Sequence, residues 1–158
     1  MESFRPTLPA DVPGILSLIG SILREHDCVL DAENEDTHLL NPGEYFRTRG
    51  GEFWVVTTDG PATIILATVG FTASAGVAEL KSLYVDPSLR RNGWGRRLTN
   101  LVIDHARSAE CNRLELWSDT RFTKAHALYR SMGFQPNGER DLHDSNASRE
   151  LGFFLPLN

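Results

Sequence analysis

A glycine-containing turn flanked by arginines has the composition of an anion-binding site. The turn reads Arg90-Arg91-Asn92-Gly93-Trp94-Gly95-Arg96-Arg97 and lies between a strand-like run and a helix-like run. Backbone N–H groups at a helix N-terminus converge on an anion, and the helix dipole adds to the attraction. Gly93 and Gly95 allow positive φ angles and a close approach of the backbone to a ligand. The segment is therefore predicted to hold phosphate groups.

Spacing separates three kinds of phosphate-binding loop. A P-loop needs a Gly-Lys-Ser/Thr ending, which this segment lacks. A dinucleotide fingerprint needs a third glycine where Leu98 stands. Glu115 does lie about twenty residues beyond Gly95, as a ribose-binding acid would, but only about forty residues follow it, too few for a doubly wound sheet. The third pattern, Arg/Gln-x-x-Gly-x-Gly/Ala, is satisfied in full by residues 90–95.

This third pattern resembles the pyrophosphate-binding motif of the GNAT superfamily of acyl-CoA N-acyltransferases. Residues 83–87 are similar to the end of the strand that pairs with the pantetheine arm in that family, and residues 125–134 to its helix and Gly-Phe segment. The resemblance implies that acetyl-CoA is the cosubstrate. It implies the following coenzyme-binding residues: Leu83, Tyr84, Val85, Arg90, Arg91, Asn92, Gly93, Trp94, Gly95 and Arg96.

One position departs from the family pattern. The family often has an asparagine three residues before the alanine of Ala-x-x-Leu-Tyr, where this chain has Phe122. Any hydrogen bond that the asparagine would give the coenzyme must come from elsewhere or be absent. Ser118, Thr120 and Thr123 are the candidates.

The order of elements predicts a single α/β domain over residues 1–158. We expect strands over residues 3–8, 53–58, 62–72, 77–86, 113–117, 134–139 and 148–155. Helices are expected from Pro9, over residues 43–49, over residues 95–110 and over residues 123–132. The resemblance implies a GNAT-like mixed sheet, mostly antiparallel, with a central parallel pair of strands that splay apart and helices on both sides.

Transfer of an acetyl group to an amine needs a base, an oxyanion donor and an acid. Glu79, on the central strand, is the leading base, and a strand carboxylate that faces solvent or pairs with Lys or Arg is an equal alternative. The resemblance points to the Val85 N–H, or a neighbour, for the oxyanion and to Tyr129 as the acid that protonates the leaving thiolate. His105 and His126 are candidate proton relays, although a lone helical histidine is more often structural.

Composition excludes several classes of protein. A formal net charge of −5 argues against nucleic-acid binding in general. The uncharged stretch 61–78 is better explained as two strands than as a membrane span, and the N-terminus has no apolar signal core. We therefore expect a cytoplasmic protein. Residues 141–144 carry metal-ligand atoms without the paired spacing of a zinc site, so no metal is predicted.

The predicted function is direct acetyl transfer from acetyl-CoA to a primary amine of a small molecule or peptide. Neither Cys28 nor Cys111 lies in a nucleophile motif, so no acyl-enzyme is expected. A non-catalytic acyl-CoA-binding or sensing protein is the alternative, and a nicotinamide-dependent enzyme is a weaker one. An acidic segment, most simply a solvated loop, would favour a cationic acceptor if it covers the pocket: Asp31, Glu33, Glu35 and Asp36. A homodimer is compatible with the resemblance.

Overall fold

A computed structural model describes residues 2–158, which form one seven-stranded sheet with helices on both faces. The strands are β1 (Glu2–Pro6), β2 (Glu52–Thr58), β3 (Ile65–Ser74), β4 (Val77–Val85), β5 (Arg113–Asp119), β6 (Gln135–Asp141) and β7 (Arg149–Pro156). The α-helices are α1 (Val12–Glu25), α2 (Pro42–Arg47), α3 (Trp94–Ser108) and α4 (Thr123–Ser131). The strand order is β1-β2-β3-β4-β5-β7-β6, and only β4 and β5 are parallel. The predicted fold class is confirmed.

Alternating side chains divide the core between the two faces of the sheet. On β2, Phe53 and Val55 pack with α1 and α2. Trp54 and Val56, which point the opposite way, join the larger core formed with α3 and α4. Period-two alternation of a strand buried on both sides produces this division. We call the two sides the α1 face and the α3 face.

The parallel pair separates partway along its length. The pairing of β4 with β5 ends at Leu80 and Leu116, although both strands continue beyond those residues. Ser82 then has φ +58°, and the register between β3 and β4 shifts. The Thr68 hydroxyl donates to the Ser82 carbonyl at 2.8 Å and holds this bulge. A bulge bends a strand and increases its twist, so β4 turns away from β5 here.

The structure corrects several predicted boundaries. The strand predicted over residues 62–72 begins at Ile65 and continues to Ser74, because a turn closed by the Thr58 N–H and the Ile64 carbonyl precedes it. The helix predicted to reach residue 110 ends at Ser108. His105 and Ala109, at the end of the predicted range, are exposed.

Two classes of feature are missing from the part of the chain that the structure covers. None of the helices within residues 2–158 has the length and apolar character needed to cross a membrane. Over the same residues, no three His, Cys, Asp or Glu side chains are grouped so that they could hold a metal ion.

Candidate active site

The turn after β4 presents its backbone N–H groups at the start of α3. The Asp86 carboxylate accepts the Ser88 N–H at 2.9 Å, and the Leu89 side chain is buried beneath the turn. Gly93 has φ +78° and is the N-cap of the helix. The Arg97 N–H donates to the Gly93 carbonyl at 3.0 Å. This is the first hydrogen bond of the helix, so the backbone N–H groups of residues 94–96 have no acceptor within α3.

The two glycines of the turn have different surroundings. A Cβ atom on Gly93 would meet nothing within 4 Å, so this residue borders open space at the helix N-terminus. A Cβ atom on Gly95 would lie 3.2 Å from Leu128 Cδ2 on α4. Gly93 therefore provides the left-handed conformation and access to the N–H groups, whereas Gly95 allows α3 to pack closely on α4.

The arginines around the glycines are engaged in different ways. Arg90 makes a two-point contact with Glu25 at 2.9 and 3.0 Å. Arg97 stacks on the Trp94 ring at 3.7 Å, and Arg96 donates to the Ser131 hydroxyl at 2.9 Å. Arg91 is exposed and has no ion pair or side-chain hydrogen bond within residues 2–158.

Trp94 and Asn92 bound the same turn. Trp94 is 5% exposed and belongs to the core. Asn92 is exposed, and its N–H donates to the Leu89 carbonyl at 3.3 Å.

The splayed strands leave an open edge beside the turn. Leu83 and Val85 pack toward the α3 face, whereas Tyr84 packs toward the α1 face. On its other side β4 remains paired with β3 through Tyr84–Thr68 and Val85–Ala67. Beyond Leu80, the β5-facing edge of β4 has no strand partner within the described residues. An extended ligand could therefore add its own hydrogen bonds along residues 83–85.

Tyr129 is a buried phenol next to this opening. Its ring is 4% exposed and packs against Phe134 and Phe153, with centroids 5.5 and 5.8 Å away. Burial raises the pKa of Tyr129 above its usual range, so the phenol stays protonated near neutral pH. The Tyr129 hydroxyl has no hydrogen-bond partner within residues 2–158. In the same residues, every fully enclosed side-chain nitrogen or oxygen has a hydrogen-bond partner. The oxygen is therefore not fully enclosed.

Glu79 lies in the still-paired part of β4. Its neighbours Ala78 and Leu80 face the α3 side, so the carboxylate lies on the α1 face. It is 3.7 Å from the Lys81 ammonium and in register with Glu115 of β5. Both sequence-based alternatives stay open for Glu79: a base three residues before the bulge, or a carboxylate paired with Lys81.

The two candidate relay histidines have distinct environments. His126 is buried, and its Nε2 lies 3.1 Å from the Ser118 hydroxyl. Burial lowers the pKa of His126, although backbone hydrogen bonding with Asp119 opposes the shift. His105 is exposed on α3, with its ring 4.7 Å from that of Trp54.

Phe122, at the family's asparagine position, has an aromatic role. Its ring packs edge-on against His26 at 4.7 Å and against Tyr84 at 6.3 Å. Of the candidate replacements for the asparagine, Ser118 is engaged by His126, while Thr120 uses its N–H for the Arg149 carbonyl.

Sequence reasoning missed a set of carboxylates whose charges affect the pKa of Tyr84. Burial, followed by the electrostatic effects of Asp36, Glu150, Tyr129 and Asp119, raises the pKa of Tyr84. Asp119 is paired with Arg121 at 3.1 Å and Glu150 with Arg140 at 2.6 Å. Within residues 2–158, Asp36 has no cation within 4.0 Å of its carboxylate.

Asp36 also corrects the prediction that the acidic segment is simply solvated. Asp36 is only partly exposed, its carboxylate accepts the Asp31 N–H at 2.9 Å, and burial raises its pKa. The chain just before this segment is attached to the loop between β6 and β7. Asn146 donates to the Val29 carbonyl at 2.9 Å and accepts the Val29 N–H at 3.0 Å. No sequence motif marks these contacts, which join residues far apart in the chain.

The family model and the relative that match this chain both describe acetyltransferases. Residues 20–134 match the family model described as "Acetyltransferase (GNAT) family". The chain is 32% identical over 100 residues to a mycothiol acetyltransferase from Beutenbergia cavernae, a match that covers 59% of this chain and 34% of that protein. The chain thus spans about a third of that relative's length.

Solved structures share the fold at low sequence identity. A GNAT-family acetyltransferase from Staphylococcus aureus Mu50 superposes with a TM-score of 0.86, at 20% identity over 100% of both chains. An acetyltransferase from Salmonella typhimurium, solved with its cofactor acetyl-CoA, gives a TM-score of 0.73 at 19% identity, covering 99% of this chain and 94% of that one. Because the family model spans most of the sequence, this chain belongs to the acetyltransferase (GNAT) family.

Proposed function

We propose that this protein is an acetyl-CoA-dependent N-acetyltransferase that transfers the acetyl group directly to a primary amine. The observation that carries the proposal is the free N-terminus of α3 beside the open edge of β4. Together they offer an anion site and an extended backbone edge, which suit a pyrophosphate followed by a pantetheine arm. Membership of the acetyltransferase family supports the same function.

Coenzyme binding is assigned to backbone groups more than to side chains. The N–H groups of residues 94–96, with the unpaired guanidinium of Arg91, would hold the pyrophosphate. The pantetheine arm would lie along Leu83, Tyr84 and Val85, which places the thioester near the bulge. Arg96, which donates to the Ser131 hydroxyl, would either keep that hydrogen bond or exchange it for a contact with a phosphate.

The chain provides groups for each step of amide formation. An acceptor ammonium must lose its proton before attack, and Glu79, directly or through water, is our candidate base. A β4 N–H at or next to Val85 would bind the oxyanion of the tetrahedral intermediate. The Tyr129 hydroxyl would then protonate the departing thiolate.

A direct route agrees with the state of the cysteines. Cys28 and Cys111 are both buried free thiols, and burial raises the pKa of each. The thiolate is the nucleophilic form, so neither residue is suited to carry an acyl group.

The acceptor we propose is a cationic amine bound between Asp36 and the Tyr84 hydroxyl. Asp36 is a partly buried carboxylate without a cation partner in the described part of the chain. An ammonium group there would relieve the cost of burying that charge. The nearby carboxylates Asp31, Glu35 and Asp144 raise the local negative potential further and would steer a cation toward the site.

Release of free thiol from acetyl-CoA with a panel of amines tests this function. We expect turnover with a cationic amine, with kcat/KM falling as salt is added while kcat changes little. Glu79→Gln should lower kcat, whereas Glu115→Gln, its register neighbour, serves as the control. Coenzyme A binding without turnover of any amine would favour the non-catalytic alternative. An anionic or uncharged amine as best acceptor, without salt dependence, would refute the cationic acceptor.

A further inference from the structure

We propose that Arg90 and Glu25 form a brace, and that Arg90 is not a phosphate ligand. The brace joins the turn at residues 90–95, which we call the coenzyme turn, to residues 25–36, which we call the acceptor-side segment because it carries Asp36. This inference rests on the proposed function, because it assigns a positioning role within the same site. The sequence pattern alone placed Arg90 among the coenzyme-binding residues.

The geometry of Arg90 favours a structural contact. Its two terminal nitrogens meet the two oxygens of Glu25 at 3.0 and 2.9 Å, and its Nε donates to the Val85 carbonyl at 3.2 Å. A guanidinium has five N–H donors, and these bonds use all three of its nitrogens. A phosphate would have to replace a fork-shaped carboxylate contact that is already formed.

Glu25 stands at the start of the acceptor-side segment. It is the last residue of α1, and its pKa is lowered chiefly by its hydrogen bonds with Arg90. The next residue, His26, packs on Phe122. Cys28 then accepts from Arg121 at 3.0 Å, and the chain continues to Asp36. In the proposed brace, Glu25 fixes the start of the segment that leads to the proposed acceptor carboxylate, so its removal would loosen that segment.

A brace and a switch predict different effects of the Arg90 and Glu25 variants on coenzyme affinity. In a switch, Arg90 would leave Glu25 and bind phosphate when the coenzyme arrives. Removal of Glu25 would then free Arg90 and tighten coenzyme binding, whereas removal of Arg90 would weaken it. In a brace, both removals disturb the same acceptor-side segment and leave coenzyme affinity nearly unchanged.

A double-mutant cycle with Arg90→Gln and Glu25→Gln separates the two roles. Calorimetry with coenzyme A gives the Kd, and steady-state assays with the best amine of the panel give KM and kcat. We expect each single variant to raise the acceptor KM about two- to fivefold, the size of effect expected for loss of an exposed ion pair. The double variant should lose no more than the worse single variant, because both remove one contact. The coenzyme Kd should stay within about twofold.

A matched surface pair provides the control. Arg149 and Glu139 are linked at 3.0 Å on the β6–β7 hairpin, and Arg149→Gln and Glu139→Gln should leave the acceptor KM unchanged. Opposite changes of coenzyme Kd in the two brace variants, or additive losses in the double variant, would overturn the brace. Failure of the wild-type protein to bind coenzyme A at all would instead overturn the proposed function.

Discussion

Gly93→Asp is the sharpest test of the phosphate site, because its costs to folding and to binding can be separated. Gly93 has φ +78°, and a Cβ atom there meets nothing within 4 Å. The folding cost is thus conformational and not a clash. A left-handed non-glycine residue costs about 1–2 kcal/mol, with Asp at the lower end. For a chain of this size that lowers Tm by about 2–8 °C.

The effect on binding follows from the added charge. If the open space at Gly93 holds the pyrophosphate, the new carboxylate would lie about 5 Å from a phosphate charge. With an effective dielectric constant between that of a protein surface and that of water, the repulsion is about 1–3 kcal/mol. This corresponds to about 5- to 150-fold weaker coenzyme A binding.

Gly138→Asp is the matched control. Gly138 has φ +85° and an equally open Cβ position, but it lies on β6 at the far edge of the sheet. Both variants should therefore lose similar Tm, measured by thermal unfolding without ligand. Only Gly93→Asp should weaken coenzyme A binding in calorimetry, and more so at low salt. Equal affinities in the two folded variants would show that the phosphate site lies elsewhere.

Three further predictions concern single side chains. Tyr129→Phe, which keeps the aromatic packing, should lower kcat about 100-fold with little change in acetyl-CoA affinity; a near-wild-type kcat with chemistry limiting would remove Tyr129 from the mechanism. Asp36→Asn should raise both Tm at neutral pH and the KM for a cationic acceptor, because the raised pKa means that the ionised form destabilises the folded state above the ordinary Asp range; a lower Tm or an unchanged KM would contradict this. Burial, and secondly the charge of Lys81, lowers the pKa of His38 from 6.5 to about 4. Between these two pH values the unfolded chain binds a proton that the folded protein does not, so the free energy of unfolding should fall by about 3 kcal/mol as the pH drops from 6.5 to 4. His38→Gln should flatten that decline in urea unfolding, and an unchanged pH dependence would argue against it.

The turn at residues 90–95 and the start of α3 could be predicted from sequence because their determinants are local. The glycines, the arginines and the following helix occur within a few residues of one another, and their conformation depends mainly on neighbouring backbone. Arg90 shows where local reasoning ends. Its partner Glu25 is 65 residues away in the chain, so only the packing of α1 against the end of β4 brings the two together.

The side chains of β4 show a second physical limit. Strict alternation from Leu80 would place Leu83 on the α1 face and Tyr84 on the α3 face. The bulge at Ser82 adds one residue and reverses both. Serine gives no sequence sign of a positive φ, so the orientation of the Tyr84 hydroxyl, and with it the set of carboxylates that affect its pKa, could not be predicted.

The close contact between Gly95 and α4 fixes a distance within the proposed site. Gly95 belongs to the turn proposed to bind phosphate, and Leu128, which it approaches, directly precedes Tyr129. Because packed helices in a dense core shift little, the distance from the phosphate site to the Tyr129 hydroxyl is set by the protein and not by the ligand. We expect the protein to accept a thioester only when the carrier between phosphate and sulfur matches that distance. Selection among acyl donors would then depend on the length of the carrier as much as on the acyl group.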